Sequence, residues 1–219
     1  MAAALAASLA AAAWTAVAPH DSALALLLVA GGFVAFGASW LESGPASAKE
    51  LVLVATLGGA AAAGRVLFAA IPGVQPVTVI VVAAGVALGL RAGLLVGGVA
   101  ALVSNVFLGQ GPWTPWQMLG WGGCGAIGAL AAPLLRRRIP FALACCVLGF
   151  AFSGLMDLWE WFSFYPHTWA ALGVQMGRGV WFDAAHAAGN VVLALVAGPE
   201  LRRLLERYGR RLHPEIVWA

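Results

Sequence analysis

The chain has 219 residues, of which 62% are hydrophobic and only 10% are charged. Soluble domains carry about 25% charged residues, so this composition excludes an ordinary soluble protein and indicates an integral membrane protein. The formal net charge of +3 does not indicate nucleic-acid binding, because the basic residues cluster at the ends of apolar segments, where membrane orientation explains them.

The first 47 residues contain two apolar segments, residues 1–18 and 23–41, joined by a Pro-His-Asp-Ser turn. A short polar linker at residues 42–49 follows. We therefore predict two accessory helices in residues 1–47 and a separate membrane domain in residues 48–200.

Six further apolar segments predict the helices of that membrane domain. The second of them is short for the roughly 20 residues that cross a bilayer. The expected fold is all-α, a polytopic membrane helical bundle with a six-helix core, two extra N-terminal transmembrane helices and a basic C-terminal tail at residues 201–219. The six segments are residues 48–71, 77–90, 92–108, 115–135, 140–164 and 172–195.

Positive charge alternates along the connections between these segments. Every second junction is basic, and the turns between them, within residues 72–76, 109–114 and 163–169, contain no Lys or Arg. The positive-inside rule then places the basic junctions in the cytoplasm and the uncharged turns outside, with both termini cytoplasmic if there are eight spans. The basic residues are Lys49, Arg91, Arg136, Arg137, Arg138, Arg202, Arg203, Arg207, Arg210 and Arg211.

One uncharged turn, residues 109–121, reads Gly-Gln-Gly-Pro-Trp-Thr-Pro-Trp-Gln-Met-Leu-Gly-Trp. Its Gly and Pro residues end one helix and begin the next, since Pro115 suits a first helical turn but not an interior. Tryptophan favours a membrane–water boundary, and glutamine adds neutral hydrogen-bonding groups. Two interpretations remain open: the turn lines a pocket for a small, partly aromatic molecule, or it is a re-entry turn anchored by Trp113, Trp116 and Trp121.

Several polar side chains lie in the outer halves of the predicted helices. An ionised group at mid-membrane costs roughly 2.5–3.5 kcal/mol on insertion scales, so such groups are retained when they are paired, hydrated or functional. We expect Arg65 to pair with Asp157 or Glu160. The set forms either a structural network between helices or the polar floor of a pocket. Its members are Arg65, Asn105, Gln117, Asp157, Glu160, Gln175 and Arg178.

The same side chains offer little support for catalysis. Asp157 and Glu160 share one helix face and could do acid–base chemistry, but nothing nearby supplies a nucleophile with its base. Asp183, His186 and Asn190 form a stripe on the last predicted span. His186 is better explained as a hydrogen-bonded core histidine, although a proton relay remains the alternative. The three cysteines lie in apolar segments and show no metal-ligand spacing.

Small residues recur at every fourth position in the first segment after the linker, at Ala55, Gly59 and Ala63. Such faces let helices approach closely, either within the bundle or against a partner. Beyond the last span, residues 201–212 predict a basic amphipathic helix at the inner surface, lying on anionic headgroups.

Four stretches resemble the substrate-binding S components of energy-coupling factor (ECF) transporters. They are Gly-Arg at residues 64–65, the turn at 72–76, Ser-Asn-Val-Phe-Leu-Gly-Gln-Gly-Pro-Trp-Thr-Pro-Trp-Gln-Met at 104–118, and Ala-His-Ala-Ala-Gly-Asn at 185–190. The likeness covers about residues 48–211. It implies a six-helix membrane protein that captures a vitamin or vitamin precursor from outside, with cobalamin or one of its precursors as the favoured ligand.

The resemblance also implies partners: a membrane coupling (T) subunit, which Ala55, Gly59 and Ala63 would contact, and two cytoplasmic ATPase subunits. ATP would be hydrolysed by those ATPases, so this chain would be no enzyme and would need no cofactor or metal. The alternatives are an intramembrane enzyme acting on a lipid-linked or small aromatic substrate, and a non-transporting structural or sensory membrane protein. The expected ligand-binding side chains are Arg65, Gln75, Asn105, Gln110, Trp113, Trp116, Gln117, Asp157, Glu160, His167, Gln175 and Arg178.

Overall fold

The computed structural model describes residues 46–212, together with four isolated positions at 10, 28, 31 and 32. The two accessory helices predicted in residues 1–47 therefore lie almost wholly outside the described residues, as does the end of the tail. The described part is all-helical, with eight helices and no strand. They are α1 (Ala46–Leu67), α2 (Val77–Leu88), α3 (Leu90–Leu108), α4 (Thr114–Leu130), α5 (Ala132–Leu135), α6 (Arg138–Phe164), α7 (Trp169–Val196) and α8 (Gly198–Leu212).

Four of these helices are long and apolar enough to cross a membrane: α1 over Ala48–Leu67, and the whole of α3, α6 and α7. The longest two, α6 and α7, have 27 and 28 residues, which is about 40 Å at 1.5 Å per residue. A bilayer has a hydrocarbon core of about 30 Å. The chain is therefore a helical membrane protein, as its composition predicts.

The short helix α2 is a core helix. Its twelve residues span only about 18 Å, and nine of them are buried against α3, α4 and α8. The turn at residues 72–76 stays outside the helix, which begins after Pro76. Because neighbouring helices surround α2, it needs neither the length nor the lipid-facing surface of a full span.

Glycines allow α2, α3 and α4 to pack with their backbones in contact. A Cβ atom at Gly85 or Gly93 would collide with the carbonyl oxygen of Gly125, and a Cβ at Gly97 would meet the backbone of α4 at Trp121. Small residues at helix contacts permit this close approach. Most glycines of this region therefore serve packing within the bundle.

Helix α1 carries small residues on two different faces. The inner face contains Ala61 and Ala62, which are buried, and Gly58, where a Cβ would strike the side chain of Val99 on α3. The outer face contains the predicted stripe: Ala55 and Ala63 are exposed, and a Cβ at Gly59 would meet no described atom within 4 Å. This stripe points away from the bundle.

The basic junctions gather at one end of the bundle, here called the basic end. Arg138 Nη2 donates to the carbonyl oxygen of Leu195 at 2.9 Å, and Arg202 Nη1 donates to that of Leu135 at 2.8 Å. These bonds join α8 and the end of α7 to the α5–α6 junction. Helix α8 also buries Leu205 against the bundle. It therefore packs on protein and does not lie on headgroups alone.

Candidate ligand-binding site

A cavity of about 510 Å³ lies at the opposite end, here called the turn end, where the uncharged turns meet. Its volume falls within the roughly 300–1,000 Å³ of small-molecule sites. Residues from α1, α4, α6, α7, the turn at 72–76 and the turn before α4 line it. Eight of the twelve expected ligand-binding residues are among them: Arg65, Gln75, Trp113, Gln117, Asp157, Glu160, Gln175 and Arg178.

Aromatic rings form one part of the cavity wall. Trp121 and Phe152 are stacked, with ring centroids 4.3 Å apart and planes at 12°. Near the turn, Trp113 meets Trp159 edge to face at 6.4 Å. Flat aromatic surfaces of this kind suit a flat heteroaromatic ligand.

Of the two interpretations of the 109–121 turn, Trp121 fits the pocket and not the membrane boundary. This side chain is 0% exposed, because it lies two helical turns after the start of α4 and stacks on Phe152, where Gly97 lets the backbones of α3 and α4 approach closely. The guanidinium carbon of Arg65 lies 4.9 Å from the centroid of the Trp121 ring, a cation–π distance. Trp121 is thus part of the buried cavity wall.

Arg65 lies in the last turn of α1 and bonds to neutral oxygens. Its Nη1 donates to Ser104 Oγ at 2.7 Å and to Asn105 Oδ1 at 2.5 Å, and its Nε donates to Gln75 Oε1 at 3.3 Å. The expected ion pair with Asp157 or Glu160 is not formed, although the structure describes all three residues. The reason is position, because the carboxylates belong to the α6–α7 wall while the Arg65 partners are on α3 and the 72–76 turn.

Asn105 connects this arginine to the turn before α4. Its Nδ2 donates to Thr114 Oγ1 and to Gln117 Oε1, both at 2.8 Å. Asn105 is 1% exposed and does not line the cavity. It hydrogen-bonds to two cavity-lining side chains, Arg65 and Gln117, without itself facing the cavity.

Three other expected residues lie away from the cavity. Gln110 is exposed and bridges the end of α3 to the start of α4, with Nε2 donating to Leu102 O at 2.8 Å and Oε1 accepting from Thr114 Oγ1 at 2.9 Å. His167 is exposed and bonds to Phe162 O at 3.0 Å. Trp116 is half-buried and packs against the hydrophobic core. Gln110 and His167 therefore stabilise turns, and Trp116 packs in the core.

Acidic residues of α6 and α7 form the opposite wall of the cavity. Gln175 Nε2 donates to Glu160 Oε2 at 2.7 Å and more weakly to Asp157 Oδ1 at 3.4 Å. Asp183 joins them across Gly179, since a Cβ placed on this glycine would lie 3.3 Å from both carboxylate oxygens of Asp157 and 3.4 Å from Asp183 Oδ2. We call Asp157, Glu160 and Asp183 the acidic wall.

Arg178 is exposed and lies on the same helix as Asp183. Its Nη1 donates to the Tyr165 hydroxyl at 3.0 Å. Two ion pairs of the described chain, Arg202–Glu206 and Arg203–Glu200, are both on α8. The acidic wall therefore has no cationic partner among the described side chains.

His186 attaches the turn at 72–76 to α7. Its Nδ1 lies 2.7 Å from the carbonyl oxygen of Gly73, and the side chain is buried. Gly73 has φ +76° and a Cβ there would press on the α7 backbone at Phe182 and His186, so the turn requires glycine. The prediction of a hydrogen-bonded core histidine is confirmed.

The list of expected ligand-binding side chains omits eight residues that line the cavity, namely Trp121, Phe152, Ser153, Met156, Trp159, Gly179, Phe182 and Asp183. For four of them, helical spacing from a predicted polar residue was the available signal. Ser153 lies four residues before Asp157, Met156 lies four residues before Glu160, and Gly179 and Phe182 lie four and seven residues after Gln175. Residues three, four and seven apart share a helix face, so extending the faces of Asp157, Glu160 and Gln175 finds these four residues.

Comparison with models of protein families, with curated proteins and with solved structures found no match for this chain. Within the described residues, no group of three or more His, Cys, Asp or Glu side chains is arranged to hold a metal ion. The cavity displays stacked rings, an arginine held in neutral hydrogen bonds, and a wall of carboxylates.

Proposed function

We propose that this protein is the substrate-binding S component of an ECF-type importer, which captures a vitamin or vitamin precursor for ATP-driven uptake by partner subunits. One observation carries the proposal. The cavity at the turn end is lined by eight residues expected to bind ligand, including Arg65 and Gln117 from two of the stretches with S-component resemblance. It lies at the end opposite the basic junctions, where the positive-inside rule would place an outward-facing site.

The size and lining of the cavity favour a compact aromatic ligand. A volume of about 510 Å³ suits a molecule with one or two rings, and an intact corrinoid is larger. Of the two ligands expected from the resemblance, a small precursor is therefore favoured over cobalamin itself. The Trp121–Phe152 stack and the Trp113–Trp159 pair would hold its ring.

The outer face of α1 supports the proposed partnership with a membrane coupling subunit. Ala55 and Ala63 are exposed there and no described residue covers Gly59, while the large side chains Val52 and Leu67 on this helix are also exposed. A helix of the coupling subunit could approach closely over the small residues. The two ATPases would then lie at the basic end, on the cytoplasmic side, with both termini of this chain if it has eight spans.

The test is ligand binding by the purified chain in lipid nanodiscs. Calorimetry and thermal-shift measurements over B vitamins, corrinoids and deazapurines should find one ligand with submicromolar affinity and no chemical conversion of it. Absence of binding across the panel would overturn the proposal, and product formation by the isolated chain would favour the intramembrane enzyme. Uptake of the radiolabelled ligand, in cells with and without this chain, separates transport from a structural or sensory role.

A further inference from the structure

The charges that line the cavity do not balance. Arg65 and Arg178 contribute two positive charges, and the acidic wall contributes three carboxylates. The bonds of Arg65 and Arg178 go to neutral groups, so neither arginine pairs with a described carboxylate. Ionised groups inside a membrane protein are normally paired or functional, and the acidic wall is left without a counter-ion.

Buried polar atoms around the cavity also lack hydrogen-bond partners. Asp157 Oδ2 and Gln175 Oε1 are acceptors shielded from water, and no described residue donates to either. Both side chains are more than nine-tenths buried. Buried polar groups in folded proteins are almost always bonded, so two acceptors on this wall are available for donors from outside the chain.

The indole N–H groups of the cavity, which are donors, lack hydrogen-bond acceptors. Trp121 Nε1 and Trp159 Nε1 are donors, both side chains are more than nine-tenths buried, and no described acceptor bonds to either. A ligand that satisfies the cavity would therefore present N–H donors to the α6–α7 wall and acceptors to the tryptophans. A flat nitrogen heterocycle with an amine substituent has both.

We propose that the acidic wall binds a cationic nitrogen group, such as an ammonium, carried by a flat heteroaromatic ligand whose ring lies against the tryptophans. The inference rests on the proposed function only in that the cavity binds a small molecule. Gly179 supplies the space, because the carboxylates of Asp157 and Asp183 face a residue with no side chain. A cation at that point would be attracted by two carboxylates from two helices, and would offset their mutual repulsion.

The experiment compares ligands that differ in one group. The probes are pyridoxamine against pyridoxine, and 5-aminomethyl-2-methylpyrimidin-4-amine against its 5-hydroxymethyl counterpart, each titrated into the full chain in nanodiscs by calorimetry. In each pair the ring is the same and an ammonium replaces a hydroxyl. The ammonium member of at least one pair should bind roughly 10-fold or more tightly, as expected for a charge-assisted hydrogen bond.

Two variants test whether the preference for the ammonium arises at the acidic wall, and a third controls for the loss of a negative charge. Asp157→Asn and Asp183→Asn should each weaken binding of the ammonium probe by about 10-fold, and binding of the hydroxyl probe much less. Glu200→Gln removes an exposed carboxylate on α8 and should change neither. Size-exclusion chromatography and thermal unfolding report whether each variant folds, and the half-buried Asp183 keeps the test open if the Asp157 variant does not.

The outcomes separate this inference from the function on which it rests. Tighter binding of a hydroxyl probe or of a neutral vitamin from the wider panel overturns the inference alone, because the cavity then binds ligands without a cation. Preference for the ammonium that is unchanged in both aspartate variants also overturns it. If no compound binds at all, the proposed function and the inference both fall.

Discussion

Asn105 hydrogen-bonds Arg65 and Gln117 at once, accepting from Arg65 Nη1 at 2.5 Å and donating to Gln117 Oε1 at 2.8 Å. One buried amide therefore sets the positions of two cavity-lining side chains from different helices. The third contact, to Thr114 Oγ1, fixes the same amide to the first turn of α4. Ligand affinity should therefore depend on a residue that the ligand does not touch.

Replacing this amide tests that dependence. Asn105→Ala leaves the Arg65 guanidinium with one fewer acceptor in a buried site, and an unsatisfied buried partner costs about 1–3 kcal/mol. We expect a lower free energy of unfolding by that amount and weaker ligand binding. Gln110→Ala is the matched control, since Gln110 bonds in the same turn but is exposed. It should affect binding little; equal losses in both variants would contradict the positioning role of Asn105.

The aromatic wall gives a second prediction. Trp113 lines the cavity whereas Trp116, three residues later, does not. Stacking a flat heterocycle on an aromatic side chain is worth roughly 1–3 kcal/mol, so Trp113→Ala should weaken ligand binding by about that amount. Trp116→Ala should reduce thermal stability through lost core packing while leaving the affinity nearly unchanged. Calorimetric titration of both variants at one temperature distinguishes the two roles.

Access to the acidic wall depends on Gly179. In Gly179→Ala the new methyl group would lie 3.3 Å from both Asp157 oxygens, in the space proposed for the cationic group. Binding should weaken by roughly 10-fold, the equivalent of about 1.4 kcal/mol. Gly177→Ala is the control, because a Cβ there would meet no described atom within 4 Å. Alanine favours helix over glycine by about 1 kcal/mol, so the control should bind normally and be no less stable.

Much of this arrangement follows from the sequence, and the rest does not, for a physical reason. Apolar length and the positions of Gly and Pro predict the helices and the end at which Arg65, Gln117 and Asp157 meet. Helical spacing and depth in the membrane do not predict which side chains of neighbouring helices come into contact. The short α2 and the contacts at Gly85 and Gly125 set how α2, α3 and α4 approach. That approach decides which side chains Arg65 can reach and buries Trp121.

The glycine contact between α2, α3 and α4 can be tested directly. Gly125→Ala would drive a Cβ into the backbone of Gly93, and backbone cannot move aside as a side chain end can. Overpacking of this kind costs about 1–3 kcal/mol, so thermal unfolding should occur at lower temperature. Gly123→Ala, two residues earlier on the same helix, would meet no described atom within 4 Å. Its unfolding temperature should be unchanged or higher, and a loss equal to that of Gly125→Ala would contradict this packing.

A substitution on the outer face of α1 should affect uptake but not ligand binding. Gly59→Leu places a large side chain on a surface that residues 46–212 leave uncovered, so the isolated chain should fold and bind ligand as before. If a helix of the coupling subunit docks there, the same side chain would hold the two helices apart, since close approach requires small residues. Uptake of radiolabelled ligand in cells that contain the ATPases should then fall at least several-fold.

The matched control for that variant is Ala188→Leu, which adds the same bulk at an exposed position of α7. It should leave both binding and uptake unchanged, because that surface is expected to face lipid. Co-purification with the coupling subunit gives a second readout that is independent of transport. Normal uptake and normal co-purification in Gly59→Leu would mean that the stripe of Ala55, Gly59 and Ala63 also faces lipid, and that the partner docks on another helix.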